Sequence, residues 1–326
     1  MISVIDGTGK FLPEKILTNR DLEKMVSTSD EWIVERTGIR NRRIADGNVS
    51  ASDLALPAAK QALESAGLKP EDVELIIVGT STPDMLFPST ACFVQAKLGA
   101  SRAVAFDLLA ACSGFIFALA AADNYIKSGA YKNALVIGAE VYSSIVDWQD
   151  RTTCVLFGDG AGAVALKAQE GTSDGILSTH IFSDGSKADY LYAPGGGSSQ
   201  RFSTKMINEK QYCLKMQGRK TFTVAVKKMV QAARIALSHN SVSTSDLKLV
   251  IPHQANRRII EAVARQLGMN IENFFFNIEK YGNTAAASLP IALDEAIREG
   301  RVVKGDLVLT VTFGGGFTWG SALIRL

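Results

Sequence analysis

Histidine is scarce in this chain, three in 326 residues, and the four cysteines stand apart at 92, 112, 154 and 213. Cysteines so few and so widely spaced supply neither a zinc cluster nor a disulfide framework. An excess of one charge is also missing. The 35 Lys and Arg against 33 Asp and Glu leave a net +2, so no global field selects nucleic acid or a membrane surface. The most apolar tract, residues 108–122, is 15 residues long and lies between Asp107 and Asp123. That falls short of the ~20 residues that cross a bilayer, and its Ser113 and Gly114 suit a buried helix. The opening MISVIDGTGKFLPEK lacks a basic stretch followed by an apolar one, so no secretory signal is read and a cytoplasmic location is expected. What the chain does have is core-forming material, 47% apolar with 21% charged residues, over a length suited to two domains or one large layered one. The class expected from this is an α/β enzyme.

Helix and strand patterns alternate throughout. Residues 52–66 read as an amphipathic helix closed by Gly67, and 73–78 as a buried strand. Strands are expected over 103–106, 133–139 and 162–166, with an apolar helix from about Cys112 to Lys127. The segment EGTSDG, 170–175, is the natural seam, dividing the chain into 1–170 and 171–326. The long polar excursion at 184–212, with its run of glycine and serine, reads as a lid or surface segment. Residues 71–79 are echoed by 245–253 at an offset of 174, each after an alanine-rich helix. A second echo pairs Cys112 with Asn283 and Gly129 with Gly300 at an offset of 171. Two echoes in one order imply an internal duplication, with Cys112 and Asn283 at equivalent helix starts near a pseudo-twofold axis.

Four features could carry chemistry. Cys112 lies between a strand and an apolar helix, where unpaired amides and the helix dipole favour thiolate, the attacking form. A lone cysteine is equally compatible with inert packing, the reading given to Cys92, Cys154 and Cys213. His253 follows an apolar strand at the end where α/β folds place ligands. Asn283 opens a helix after Gly282, as an ordinary cap does also. Phe313-Gly314-Gly315-Gly316 ends a strand, and its glycines allow either a flexible turn or close amide approach to an oxyanion.

Taken together these features fall within longer segments: TNRDLEKMVSTSDEWIVERTGIR at 18–40, AACSGF at 110–115, FGDGAGA at 157–163, PHQANRRII at 252–260, YGNTAAAS at 281–288 and FGGGFTWGSALIRL at 313–326. Through them the chain resembles, nearly end to end, the β-ketoacyl-[acyl carrier protein] synthase III family, condensing enzymes that start type II fatty acid synthesis. The resemblance implies the thiolase fold, two duplicated βαβ-rich halves in five α-β-α-β-α layers, usually as a homodimer. It implies condensation of a short acyl-CoA, acetyl-CoA foremost, with malonyl-ACP, and no metal or cofactor. Cys112 would carry the acyl group, His253 and Asn283 would hold the malonyl thioester oxygen, and the amides of Cys112 and Gly315 would form the oxyanion hole.

The resemblance further implies that Trp32 and Arg151 sandwich the CoA adenine, with Arg36 suited to its phosphates and Thr28, Gly218 and Asn256 along the nucleotide path. Phe87, Leu156 and Phe313 would line the acyl pocket, Phe87 from across the dimer. Residues 210–260 hold ten basic residues and one acid, Asp246, a charge pattern suited to an acidic carrier protein. Lys220, Lys227, Arg258 and Arg265 are its candidate contacts, while Thr223 stands where bacterial relatives often carry a base. A papain-like hydrolase shares the Cys, His, Asn order, but the Gly-Ser-Cys-Trp context is missing. The alternatives kept open are a polyketide-type condensing enzyme that uses malonyl-CoA and an inactive acyl-CoA-binding paralogue. Neither nucleic acid nor membrane is an expected partner.

Overall fold

A computed structural model describes all residues, 1–326. Strand β1 (Ile2–Phe11) opens the chain, and a small ribbon, β2 (Ile16–Thr18) with β3 (Asn41–Arg43), brackets helices α1 (Asn19–Glu23) and α2 (Asp30–Thr37). Then follow α3 (Ala51–Ala66), β4 (Leu75–Gly79), α4 (Thr90–Leu98), β5 (Val104–Leu108), α5 (Gly114–Lys127), β6 (Asn133–Glu140) and β7 (Gly160–Gln169). Past the seam, β8 (Gly175–Ser183) leads to a second ribbon, β9 (Leu191–Tyr192) with β10 (Lys215–Met216), enclosing α6 (Thr204–Asn208). The chain closes with α7 (Gly218–His239), β11 (Leu249–Pro252), α8 (Arg257–Leu267), α9 (Ile278–Tyr281), α10 (Ser288–Arg298), β12 (Leu307–Gly314) and β13 (Thr318–Arg325).

Two mixed sheets result, ordered β1-β7-β6-β4-β5 and β8-β13-β12-β11. Read from the outer edge inward they are the same sheet twice. Only the fifth strand is reduced in the second, to a single parallel bridge between Val250 and Phe274. The strands are apolar on both faces, and their period-2 alternation sorts side chains between two cores. Leu75 and Ile77 join Leu249 and Ile251 around the central helices α5 and α10, whereas Ile76 and Val78 face α3 and Val250 faces α7 and α8. The order of layers is therefore helix, sheet, helix, sheet, helix.

The structure corrects the register of the second echo. The 3-10 turns Ala111–Ser113 and Ala285–Ala287 precede α5 and α10 at an offset of 174, equal to that of the first echo. Each begins with an alanine forced to positive φ, Ala111 at 47° and Ala285 at 46°, a conformation that costs an L-residue of order 1–3 kcal/mol. Cys112 therefore corresponds to Ala286, and Asn283 lies three residues ahead of its expected place. The 171 offset between Gly129 and Gly300 arises because α10, at 11 residues, is three shorter than α5, at 14. The two turns meet at the junction of the halves: a Cβ on Gly114 would lie 3.3 Å from the Cβ of Ala286. Gly138 on β6 accepts the second turn so closely that a Cβ there would sit 2.3 Å from the Ala286 carbonyl oxygen.

The 184–212 excursion is not a loose surface loop. Asp184 and Phe317 exchange backbone hydrogen bonds of 2.8 and 2.7 Å, and Gly195 donates to the Gln211 carbonyl at 2.7 Å. Lys210 binds Asp147 at 2.8 Å, and just beyond the excursion the Leu214 amide reaches the Ile145 carbonyl, also at 2.8 Å. Leu191 in turn lies over the glycine run, since a Cβ on Gly315 would be 2.8 Å from its carbonyl oxygen.

Candidate active site

Cys112 is buried inside the turn before α5, in a shell that includes Tyr142, Phe157 and Ala285. Its carbonyl accepts a 3.1 Å hydrogen bond from Thr312 Oγ1 on β12. Gly314 passes so near that a Cβ on it would lie 2.7 Å from the Cys112 nitrogen. Any other residue would separate β12 from the Cys112 turn. The amides of Cys112 and Gly315 have no backbone carbonyl partner.

His253 is buried one residue past β11, its amide bonded to the Val311 carbonyl at 2.8 Å beside the residues that cross Cys112. Its Nδ1 lies 2.5 Å from Ser288 Oγ on the first turn of α10. Asn283 is held from both sides: its amide donates to the Leu156 carbonyl at 2.8 Å, and its carbonyl accepts from Gly158 at 3.1 Å. The Ala285 amide donates to Asn283 Oδ1 at 2.8 Å. Thus β11, β12, the 156–158 segment and the two 3-10 turns bring the three candidate residues to one junction.

The expected thiolate is not the resting state. Burial pushes the Cys112 thiol up to about 12, and negative charge on Glu140 acts in the same direction. The amide of Cys112 and a hydrogen bond from Tyr142 oppose it without prevailing. Glu140, at the end of β6, is itself raised to about 8 by burial, despite hydrogen bonds from Thr82, the Ser81 and Ala286 amides and Thr80. At neutral pH its charge is mostly absent, and desolvation alone keeps sulfur protonated. The helix dipole is legible in the sequence, whereas the depth of burial is set by the fold. Burial likewise lowers His253 to about 3, so the imidazole is neutral.

Several candidate ligand-binding residues form one lip. Arg151 lies over the Trp32 ring with its guanidinium carbon 5.0 Å from the centroid, and Arg36 approaches the same ring at 6.0 Å. Asn256 caps α8 by accepting from the Arg258 amide at 2.9 Å, and its Nδ2 reaches the Arg36 carbonyl at 3.0 Å. Thr28 carries a buried hydroxyl without a protein partner. Gly218 stands at the exposed start of α7. Leu156 is half-buried against the Cys112 shell, and buried Phe313 packs on Phe317 at 4.6 Å. Phe87, by contrast, is 82% exposed and lines nothing in its own chain.

Of the candidate carrier contacts, Lys227, Arg258 and Arg265 are exposed and Lys220 lies over Tyr190 at 4.8 Å. The basic stretch is smaller in space than in sequence, because Asp147 neutralises Lys210 and Lys248 emerges at the opposite end of β11 from His253. No three His, Cys, Asp or Glu side chains are grouped as a metal would require, and no helix is long and apolar enough to cross a membrane.

Residues missed in the sequence include Ser288, Glu140, Tyr142 and Arg42. Fully buried Arg42 binds Asn19 Oδ1 and the Val155 carbonyl, each at 2.7 Å, and Asn19 binds Asp30 at 2.7 Å. Through them the start of α2, which carries Trp32, is tied to the segment that holds Asn283. Ser288 was visible only as the last letter of YGNTAAAS.

Glu140 gives a pH signature. Its carboxyl keeps a proton up to about pH 8 when folded, against 4.5 ordinarily, so its favourable contribution is full below pH 4.5 and fades as pH climbs toward 8. Melting temperatures of wild type and Glu140→Gln across pH 4.5–8 check this. The difference should move steadily in favour of Gln with rising pH, and a constant difference would contradict the buried, protonated carboxyl.

Comparison with known proteins accords with this geometry. The model for 3-oxoacyl-[acyl-carrier-protein] synthase III matches residues 106–185, and the model for the C-terminal region of that family matches 237–326. The chain is 53% identical to β-ketoacyl-[acyl-carrier-protein] synthase III of Caldanaerobacter subterraneus subsp. tengcongensis, over 98% of this chain and 96% of the relative. The crystal structure of 3-oxoacyl-[acyl-carrier-protein] synthase III from Aquifex aeolicus is similar with a TM-score of 0.93 at 52% identity, covering 99% of this chain and 100% of that one. The corresponding synthase from Pseudomonas aeruginosa gives 0.92 at 41% identity, covering 100% and 98%. With its layered thiolase fold and a match along almost its whole length, the chain belongs to the β-ketoacyl-[acyl carrier protein] synthase III family of condensing acyltransferases.

Proposed function

We propose that this protein joins a short acyl-CoA, acetyl-CoA foremost, to malonyl-ACP, releasing CO2 and CoA, with Cys112 as the acyl carrier and no cofactor. The observation that carries this reading is the junction itself: one buried sulfur, flanked by two amides without a carbonyl partner, where the segments that carry a neutral imidazole and a carboxamide meet. Sulfur attacks the thioester carbonyl, and the proton leaving Cys112 ends on the departing CoA sulfur. Malonyl then loses CO2 while His253 and Asn283 donate to its thioester oxygen as enolate charge develops. Each such donor is worth about 3–4 kcal/mol in a water-excluded site. The carbanion attacks the acyl-Cys112 carbonyl, whose oxygen is held by the amides of Cys112 and Gly315. Collapse expels the Cys112 thiolate, which takes a proton from solvent, the one proton that the overall reaction consumes. Phe313 gives the malonyl carboxylate an apolar surround that favours its loss as CO2.

Adenine would enter between Trp32 and Arg151. Stacking a base on both faces needs ~7 Å, twice the ordinary ~3.5 Å carbon contact, so the guanidinium, now 5.0 Å from the ring and bound to the Ser27 carbonyl, must swing away. In the same reading the nucleotide and pantetheine would pass Arg36, Asn256, Thr28 and Gly218. The division into 1–170, carrying the nucleophile, and 171–326, carrying both donors, is part of the same reading. Carrier docking rests on Lys220, Lys227 and Arg258, with Arg265 two turns, ~10 Å, along α8 from Arg258.

A homodimer is supported by the free edge of β5 and by Leu86, 76% exposed, with Phe87 and Leu109 equally bare. An open edge with an apolar rim invites pairing, and Phe87 then reaches the partner's acyl pocket. A cytoplasmic location fits substrates that are CoA and carrier thioesters.

Two measurements test these readings. Radiolabelled acetyl-CoA should label Cys112 in wild type and leave Cys112→Ser unlabelled, and the labelled enzyme should condense with malonyl-ACP far faster than with malonyl-CoA. Label elsewhere, or equal use of malonyl-CoA, would contradict the assignment. In sedimentation at micromolar concentration the protein should be a dimer and Leu86→Asp a folded monomer; a monomeric wild type would contradict the interface.

A further inference from the structure

The offset of 174 matches His253 with Gly79 and Ser288 with Gly114. In the first half these two glycines pack backbone to backbone, so closely that a Cβ on Gly79 would lie 2.5 Å from the Gly114 carbonyl carbon. At the same place in the second half stand two side chains joined by a hydrogen bond, His253 Nδ1 to Ser288 Oγ at 2.5 Å. The contact that is empty of side chains in one half holds a matched imidazole and hydroxyl in the other.

The direction of that bond follows from what each atom can offer. A serine hydroxyl has one hydrogen and two lone pairs. Ser288 Oγ already faces the Gln254 amide at 3.5 Å, which can only donate, and Nδ1 is the one acceptor that its hydrogen reaches. In the reverse direction, with Nδ1–H donating, the buried hydroxyl hydrogen would have no acceptor, which a buried donor does not tolerate without loss of stability. Nε2 would then present a lone pair to the substrate oxygen. Asn283 obeys the same logic, since its Oδ1 is occupied by the Ala285 amide and Nδ2 is left to donate.

We propose that Ser288 is a positioning residue: its hydroxyl donates to Nδ1 of His253 and fixes the imidazole as the Nε2–H tautomer that can donate to the malonyl thioester oxygen. This deepens the proposed reaction and rests on it for the catalytic consequence. The tautomer itself is a property of the resting chain. Because burial also keeps the ring neutral, the tautomer decides whether His253 is a donor or an acceptor.

The test is long-range proton–nitrogen NMR on the protein labelled with [15N]histidine, where only three rings contribute. One ring, identified by its loss in His253→Gln, should show protonated Nε2 and bare Nδ1 unchanged between pH 6 and 8. Protonated Nδ1 in that ring would overturn the proposal, whatever the activity. In Ser288→Ala the Nδ1 signal should shift and CO2 release from malonyl-ACP should fall about tenfold or more, while acetyl transfer to Cys112 stays within about twofold of wild type. Ser288→Thr, which keeps the hydroxyl, should restore most of the loss. Wild-type CO2 release in Ser288→Ala, or equal loss of both steps without rescue by Thr, would also overturn it. If Ser288→Ala does not fold, the wild-type spectrum still decides. A wild type with the Nε2–H ring but no CO2 release would refute the reaction and leave the assignment standing.

Discussion

The six residues from Asn283 to Ser288 impose the constraint on which the site depends. Within them a strained alanine, Ala285, turns the chain so that its own amide occupies Asn283 Oδ1, and Ser288 comes to rest beside His253 Nδ1. One short turn thus takes up the acceptor atoms of two side chains contributed by different elements. What those side chains have left to present is N–H. A site that must meet developing negative charge gains from donors oriented before the reaction, because no reorganisation is then needed in the transition state.

That turn is held by the duplicated scaffold. It is the counterpart of the Cys112 turn and packs against it at the junction of the two sheets, with Ala286 in the place that Cys112 takes in the other half. Gly138 and Gly314 have no side chain for the same reason: each lets a central strand press on the opposite turn. The duplication supplied two equivalent turns, and they diverged. One carries sulfur and faces unpaired amides, while the other carries small residues and the hydrogen bonds that aim its neighbours. Burial then sets the chemistry, keeping thiol and carboxyl protonated and imidazole neutral at pH 7.

Much of this was legible in the sequence. The helix closed by Gly67, the strands read over 73–78 and 133–139 and found at Leu75–Gly79 and Asn133–Glu140, and the apolar helix after Cys112 follow from periodicity and helix-stop signals. The long motifs name Cys112, His253 and Asn283. Register across the duplication was harder to read, because α10 is three residues shorter than α5 and the terminal glycines therefore mislead. Positive φ at Ala111 and Ala285 leaves no mark in residue type. The protonation of Cys112 is not legible in the sequence, since desolvation depends on what covers the sulfur and not on its neighbours in the chain. The 184–212 excursion looked loose because its anchors, Phe317 and Asp147, are far away in sequence. Ser288 and Glu140 gain meaning only from partners that the fold brings to them.

The proposed mechanism separates the sulfur that carries the acyl group from the donors that hold the enolate. Its most direct test is to measure both steps in Asn283→Ala: acetyl transfer from acetyl-CoA to Cys112, and CO2 release from malonyl-ACP. Acetyl transfer should stay close to wild type while CO2 release falls by about two to three orders of magnitude, as expected for loss of one preorganised donor. Equal loss of both steps, or CO2 release at the wild-type rate, would contradict it.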